Sequence, residues 1–177
     1  PLLSLPLKFS TTLDNIPTTK QYIFPNSQKD KKWKDLINRS KINIGIAWKT
    51  KKNVQVQDRS IKLDNFNQIS SLKNVSLYSL QIFDAEDEIK NKNPNLDLHI
   101  FNKDFDNEAP FIDTTAVIQN LDLVITIDTS IAHLAGALGC KTFLLLSDKP
   151  HWTWMLDKTD TPWYPSFKIY RKSKNQE

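Results

Sequence analysis

Residues 120–147 read NLDLVITIDTSIAHLAGALGCKTFLLLS, and this stretch decides the fold. Its segment 123–127 is short, β-branched and almost wholly apolar, the composition of a strand buried on both faces of a parallel sheet. The run ends in Asp128, Thr129 and Ser130, whose side chains can accept hydrogen bonds from the first free amides of a helix. Ile131, Leu134, Ala135 and Leu138 then recur at helical spacing. Gly139 stands where a helix C-terminus wants a residue tolerant of left-handed dihedrals. Residues 142–146 give a second apolar strand, so the unit is strand–helix–strand with a polar cluster at the carboxyl end of the first strand. Open α/β sheets bind ligands at that end, and a helix N-terminus there attracts anions, phosphate above all.

Outward from this unit, strand and helix patterns alternate. Strands are predicted over 42–48, 75–80 and 98–101, with a last extended segment over 166–170. Leu63, Phe66, Ile69 and Leu72, three apart, predict a helix covering a sheet face, and Trp33, Leu36 and Ile37 predict another over 30–40. Residues 84–93 are acidic then basic, which suits a short exposed helix or a loop, and 113–120 predicts a helix opening at an acidic cap. Residues 152–157 predict a short helix. The first 25 residues hold prolines at 1, 6, 17 and 25 and no helical period, so they read as an extended segment or link. The whole is an α/β chain with one Rossmann-like parallel sheet, helices on both faces and right-handed crossovers. It divides into a linker segment and short helix over 1–40 and a Rossmann-like domain over 41–177.

Composition narrows the class. The 177 residues are 39% hydrophobic and 25% charged, which describes a globular domain with a real core. A net charge of +4 without a dense basic run suggests affinity for small anions and gives no nucleic-acid motif. Cys140 is the only cysteine, so no internal disulfide forms, which favours the cytoplasm. No run is long and apolar enough to span a membrane.

Four constellations carry candidate chemistry. Asp128, Thr129 and Ser130, with His133 one helical turn on, supply hydroxyls and amides suited to a diphosphate, although caps of this kind are also common where nothing binds. The loop after Trp48 holds Lys49, Lys51, Lys52 and Arg59; an arginine can clamp phosphate with two parallel bonds, while Lys51 and Lys52 read as solvated. Gln81 ends a central strand where a nucleotide could lie, and Ser79 reads as a satisfied strand terminus. Finally, His151, Trp152, Trp154, Trp163 and Tyr164 could stack on a base or sugar, but packing is the better reading of Trp154 and Trp163. No His/Asp cluster has metal-ligand spacing.

The run LDLVITIDTSIAHLAGALGCKTFLLL, followed by HWTWMLDKTDTPWYPSFKIYR, resembles the C-terminal portion of the bacterial heptosyltransferase-like glycosyltransferases, most of all the branch attached to tetratricopeptide repeats. IGIAW, DRSIKL, SLYSLQ and DTTAVIQNLDLVI fall in that family's order, and SLPLKFSTTLDNIP resembles its interdomain link. The resemblance implies the GT-B architecture, in which this chain is the donor half, with an interdomain linker over 1–40 and a domain over 41–177 that binds a nucleoside-diphosphate sugar. It aligns Asp128, Thr129, Ser130 and His133 with the donor-binding turn, Lys49 and Arg59 with the loop that closes on the diphosphate, and Gln81 with a nucleotide-side position. The loop after Trp48 departs from the family in lacking its usual Gly and His. The resemblance further implies an upstream N-terminal domain that supplies the acceptor site and the carboxylate base, with tetratricopeptide repeats beyond it. Hexosyl or heptosyl transfer without cofactor or metal is then expected, in a cytoplasmic protein, free or peripheral to the inner membrane. With its partner domain absent, an apolar interdomain surface is expected to favour self-association.

A second reading keeps the site and drops the chemistry: a module, derived from such an enzyme, that holds a nucleotide or sugar phosphate without turnover. A dinucleotide-dependent redox enzyme is disfavoured, because only Gly45, Gly136 and Gly139 are present and none forms a G-x-G-x-x-G turn.

Overall fold

The computed structural model describes residues 4–17, 19–37, 39–51, 59–81 and 85–173. Six strands form one parallel sheet: β1 (Ile42–Ala47), β2 (Val75–Ser79), β3 (Leu98–His99), β4 (Leu123–Ile127), β5 (Thr142–Leu146) and β6 (Phe167–Arg171). Their order is β3-β2-β1-β4-β5-β6, so the chain runs outward from β1 to one edge, returns to the centre at β4, and continues to the other edge. The reversal between β1 and β4 leaves a crevice at the carboxyl edge, where doubly wound sheets hold their ligands.

Helices cover both faces. On one lie α2 (Ser27–Leu36), α5 (Ile112–Gln119) and α6 (Ser130–Ala137), whose Trp33, Val117, Ile131 and Ala135 meet Ala47, Tyr78 and Val124 from the strands. On the other, a 3-10 turn (Leu63–Phe66) leads into α3 (Asn67–Ser70), and α4 (Glu86–Lys90) follows β2. There Leu63 and Phe66 pack against Ile44, Ile46, Leu77 and Ile125. Alternate residues of β1 and β4 therefore enter opposite cores, as the two-residue period of a strand requires. A third cluster, with Leu144, Leu146, Trp154, Tyr164, Phe167 and Ile169, extends the α6 side beyond β5.

Several expectations need correction. The helix over 63–72 is split into the 3-10 turn and the single turn of α3, neither with a side-chain cap, and at its end Ser71 Oγ donates to the Gln68 carbonyl at 2.8 Å, a local bond that competes with the helical ladder. The strand over 98–101 pairs for two residues only, after which Phe101 turns to the cluster around Trp33 and Phe105. The first 25 residues are not extended throughout: α1 (Leu5–Lys8) is a helical turn, with Pro6 near its start where a missing N–H costs nothing. The short helix expected over 152–157 is a 3-10 turn, Trp152–Trp154. The last extended segment is a full sixth strand, in register with β5 from Thr142↔Phe167 to Leu146↔Arg171.

Stretch 20–24 straps the end of α6. The amides of Tyr22 and Ile23 both donate to the carbonyl of Ala137, at 2.9 and 3.2 Å. Gly139 has φ +69°, and a Cβ there would stand 2.2 Å from the Lys20 carbonyl oxygen, so both its backbone and the strap's close approach require glycine.

Candidate functional site

Four loops meet at the carboxyl edge of the sheet. The loop leaving β1 begins at Trp48, which is fully buried and donates its indole N–H to Glu88 of α4 at 2.8 Å. Lys49 Nζ donates to the other oxygen of the same carboxylate, also at 2.8 Å. Desolvation pushes the Glu88 carboxyl up, but the bonds from Lys49 and Trp48 prevail and hold it below its usual value. Gln81, just past β2, accepts from the amides of Trp48 and Lys49 at 3.1 and 3.0 Å and donates to the Lys49 carbonyl at 3.0 Å. Gln81 thus braces the loop after β1 against the loop after β2.

The far side of the β1 loop returns at Arg59. Its neck is closed by Ile61 N–H to the Trp48 carbonyl at 2.9 Å and by Thr50 N–H to Ser60 Oγ at 3.0 Å. Lys52, which the sequence placed in this loop, lies outside the described residues. Arg59 Nη1 donates to Asp128 Oδ2, in an ion pair whose side chains are 20% and 7% exposed. The backbone N–H of His151, after β5, donates to that oxygen at 3.3 Å. One buried carboxylate therefore gathers the loops after β1, β4 and β5 to a single point.

Asp128, Thr129 and Ser130 do not cap α6 as their composition suggested. Thr129 is the N-cap residue but makes no side-chain capping bond; its hydroxyl lies 3.5 Å from that of Thr126. Asp128 is spent on Arg59 and His151, and Ser130 is exposed. The helix therefore opens towards the crevice with its first amides not claimed by these three side chains, the condition in which a helix N-terminus receives an anion. His133, one turn on, stacks on Trp154 with centroids 4.9 Å apart, and its Nδ1 is 3.0 Å from the Tyr164 hydroxyl. Desolvation lowers its pKa, against an opposing pull from Asp128.

Two buried polar atoms at this edge have no partner among the described residues: Arg59 Nε and Ser147 Oγ, the latter directly after β5. A shallow cleft of about 190 Å³ adjoins Gln81 between the ends of β2 and β3, lined also by Ser79, Phe101, Asn102 and Asp106. Ser79 is buried, its Oγ 3.4 Å from the Gln81 amide nitrogen. Trp154 is core, and Trp163 is partly buried with its indole bound to the Thr153 carbonyl at 2.9 Å, whereas Trp152 is exposed. Burial pushes the Cys140 thiol up to about 11, so it is no nucleophile at neutral pH. Among the described residues, no group of three or more His, Cys, Asp or Glu is arranged to hold a metal ion, and no helix is long and apolar enough to cross a membrane.

The structure thus brings Arg59, Asp128, Thr129, Ser130 and His133 to one place, turns Lys49 towards α4, and uses Gln81 as a brace. Sequence reasoning missed Glu88, Ser147 and the amide of His151. Only Ser147 carried a usable signal, a polar residue closing a buried strand at the same edge as Gln81.

No family model matches the sequence. The protein FlbA of Caulobacter vibrioides is 26% identical over 163 residues, which are 90% of this chain but 27% of FlbA. Among solved structures, the ADP-heptose lps heptosyltransferase II of E. coli superposes with a TM-score of 0.62 at 9% identity, over 93% of this chain and 50% of that one. A family 9 glycosyl transferase from Veillonella parvula gives 0.57 at 10% identity, over 88% and 44%. The chain spans about a quarter of the curated relative and half or less of these structures. At such identities the likeness concerns architecture: the chain has the Rossmann-like α/β fold found in glycosyltransferase domains.

Proposed function

We propose that the chain is the donor-binding half of a bacterial glycosyltransferase and holds a nucleoside-diphosphate sugar at the carboxyl edge of its sheet. The observation that carries this reading is Arg59. Its guanidinium is pinned by Asp128 beside the uncapped start of α6, while its Nε–H is buried without an acceptor among the described residues. A buried, unsatisfied donor costs free energy unless something binds it, and an anionic oxygen is its natural partner. Diphosphate oxygens placed there would meet the α6 amides, Ser130 and Arg59, with His133 flanking, and the nucleoside would extend towards Gln81 and the cleft beside it. Helix amides and a guanidinium suit a leaving diphosphate without a metal, by stabilising negative charge in a fixed frame.

In this reading the acceptor and the general base belong to a second domain upstream, and tetratricopeptide repeats would lie beyond it. That division accords with a fold match covering half of a solved heptosyltransferase, and with the exposed Leu7, Phe9 and Phe24 in the leading segment. The test is calorimetric titration with ADP, UDP and GDP. Binding of at least one, weakened by Arg59→Ala, supports the reading; no binding of any refutes it.

One observation favours a binding module without turnover. Both site cations carry internal counter-charges, Lys49 on Glu88 and Arg59 on Asp128, which reduces the positive field available to a leaving group. Multiple-turnover sugar transfer by the protein joined to its upstream domain would exclude that alternative.

A further inference from the structure

Along α6, His133 and Gly136 lie three residues apart and so share a face. The ring of Tyr164 rests on that face. A Cβ at Gly136 would fall 2.3 Å from Tyr164 Cγ, so only glycine lets the ring lie flat against the helix. From there the phenol reaches towards the helix N-terminus and meets His133 Nδ1 at 3.0 Å. Tyr164 is buried, with Trp154 and Phe167 against it at 6.2 and 5.0 Å between centroids, and Trp154 also stacks on the imidazole. The imidazole is therefore held from its face by one ring and from its Nδ1 edge by another.

A neutral imidazole carries one N–H, and the partner of one nitrogen determines what the other can do. A hydroxyl that donates to Nδ1 leaves the proton on Nε2. We propose that Tyr164 is a positioning residue that fixes His133 as the Nε2–H form, so that the histidine presents a hydrogen-bond donor to the anion bound at the start of α6. This rests on the donor-site reading above.

Burial raises the Tyr164 pKa, followed by a hydrogen bond with the neighbouring Tyr22 hydroxyl, so the phenol keeps its proton across the working range; with that one proton given to Nδ1, the Tyr164 oxygen is the acceptor towards Tyr22. Tyr22 belongs to the strap whose amide bonds the Ala137 carbonyl, so the strap over the end of α6 also touches the residue that orients the histidine. Nothing in the composition of the WYP segment distinguishes this role from plain packing. The contact itself makes the distinction, since a phenylalanine would fill the same space without the bond.

The experiment is nitrogen NMR of the histidine-labelled chain at about pH 8, where imidazoles are neutral, with His133 assigned by the signal lost in His133→Gln. In the wild type, Nε2 should carry the proton and Nδ1 should be bare. Tyr164→Phe should shift His133 towards a mixture of tautomers and weaken ADP binding roughly three- to tenfold, the range of one lost hydrogen bond. A proton on Nδ1 in the wild type, or a tautomer unmoved by Tyr164→Phe, would overturn the proposal. If that variant does not fold, the wild-type tautomer decides alone. Failure of the wild type to bind ADP, with the tautomer as stated and responsive to Tyr164→Phe, would count against the donor site and uphold the positioning role.

Discussion

Asp113 and Asp128 are both buried aspartates bound to a cation, and they do opposite work. Asp113 sits in the first turn of α5 and is 1% exposed. It accepts the Trp33 indole N–H at 2.7 Å and the Asp106 amide at 3.0 Å, and Lys29 Nζ lies 3.4 Å away. Asp106 reciprocates, its Oδ1 receiving the amides of Asp113 and Thr114 at 2.6 and 3.0 Å. Asp113 therefore ties α2 to α5, and Asp106 caps α5 from outside the helix. Asp128 takes its donors from loops, Arg59 and the His151 amide, and leaves the helix beside it uncapped. A buried acid whose donors come from packed helices holds the fold. One whose donors come from loops at the carboxyl edge holds a mouth in shape.

The largest effect that would break this contrast concerns Asp113. Asp113→Ala strands the Trp33 and Asp106 N–H groups and should lower stability by about 3 kcal/mol, a melting point roughly 6–12 °C lower. Urea unfolding of the variant checks it, and a loss below about 1 kcal/mol would deny the structural role. The same carboxylate bears on acid stability. Desolvation pushes its pKa up, but Trp33, the Asp106 amide and Lys29 outweigh it and hold the value below the ordinary 3.8. The unfolded chain then binds the extra proton first, so the contribution is complete above about pH 4 and is lost as pH falls through the folded pKa. Unfolding followed from pH 5 down to pH 2 should therefore fall less steeply in Asp113→Asn than in the wild type.

Arg59→Ala comes next and should act on binding. It removes a charge-assisted contact worth about 1.5–3 kcal/mol, a ten- to hundredfold loss in affinity for a nucleoside diphosphate by calorimetry. Ser130→Ala should cost about 0.5–1.5 kcal/mol, because one neutral bond goes while the helix amides remain. Lys49→Ala should change affinity least, below about threefold, since its ammonium is already paired with Glu88. If Lys49 outranks Arg59, the ligand approaches from the α4 side and the assignment of the mouth to Asp128 fails.

What could be read in the sequence follows the range of the forces involved. Strands β4 and β5 and helix α6 fall where their periodicity puts them, because each is dominated by burial of its own apolar residues. The strand β3 shortens because an edge strand has one neighbour to keep it in line, and Phe101 gains more by packing on Trp33. The helix over 63–72 breaks into two short pieces that lack side-chain caps, with Ser71 bonding the local backbone at the end. In the site, Arg59 and the 128–130 turn were legible as types placed at strand ends. Their pairing across 69 positions was not, nor was the capture of Lys49 by Glu88, since nothing local selects one carboxylate over another.

The account stands most directly on where a nucleoside diphosphate touches the chain. Two-dimensional amide NMR of the labelled protein, titrated with ADP, UDP or GDP, reads this residue by residue. The account predicts saturable shifts at Ser130, Ile131 and Ala132, at Thr50, Arg59 and Ser60, and at His151, with the amides of Asp113 and Thr114 unmoved. Saturable shifts centred on α5 or on the outer face of α4, with the start of α6 silent, would contradict it.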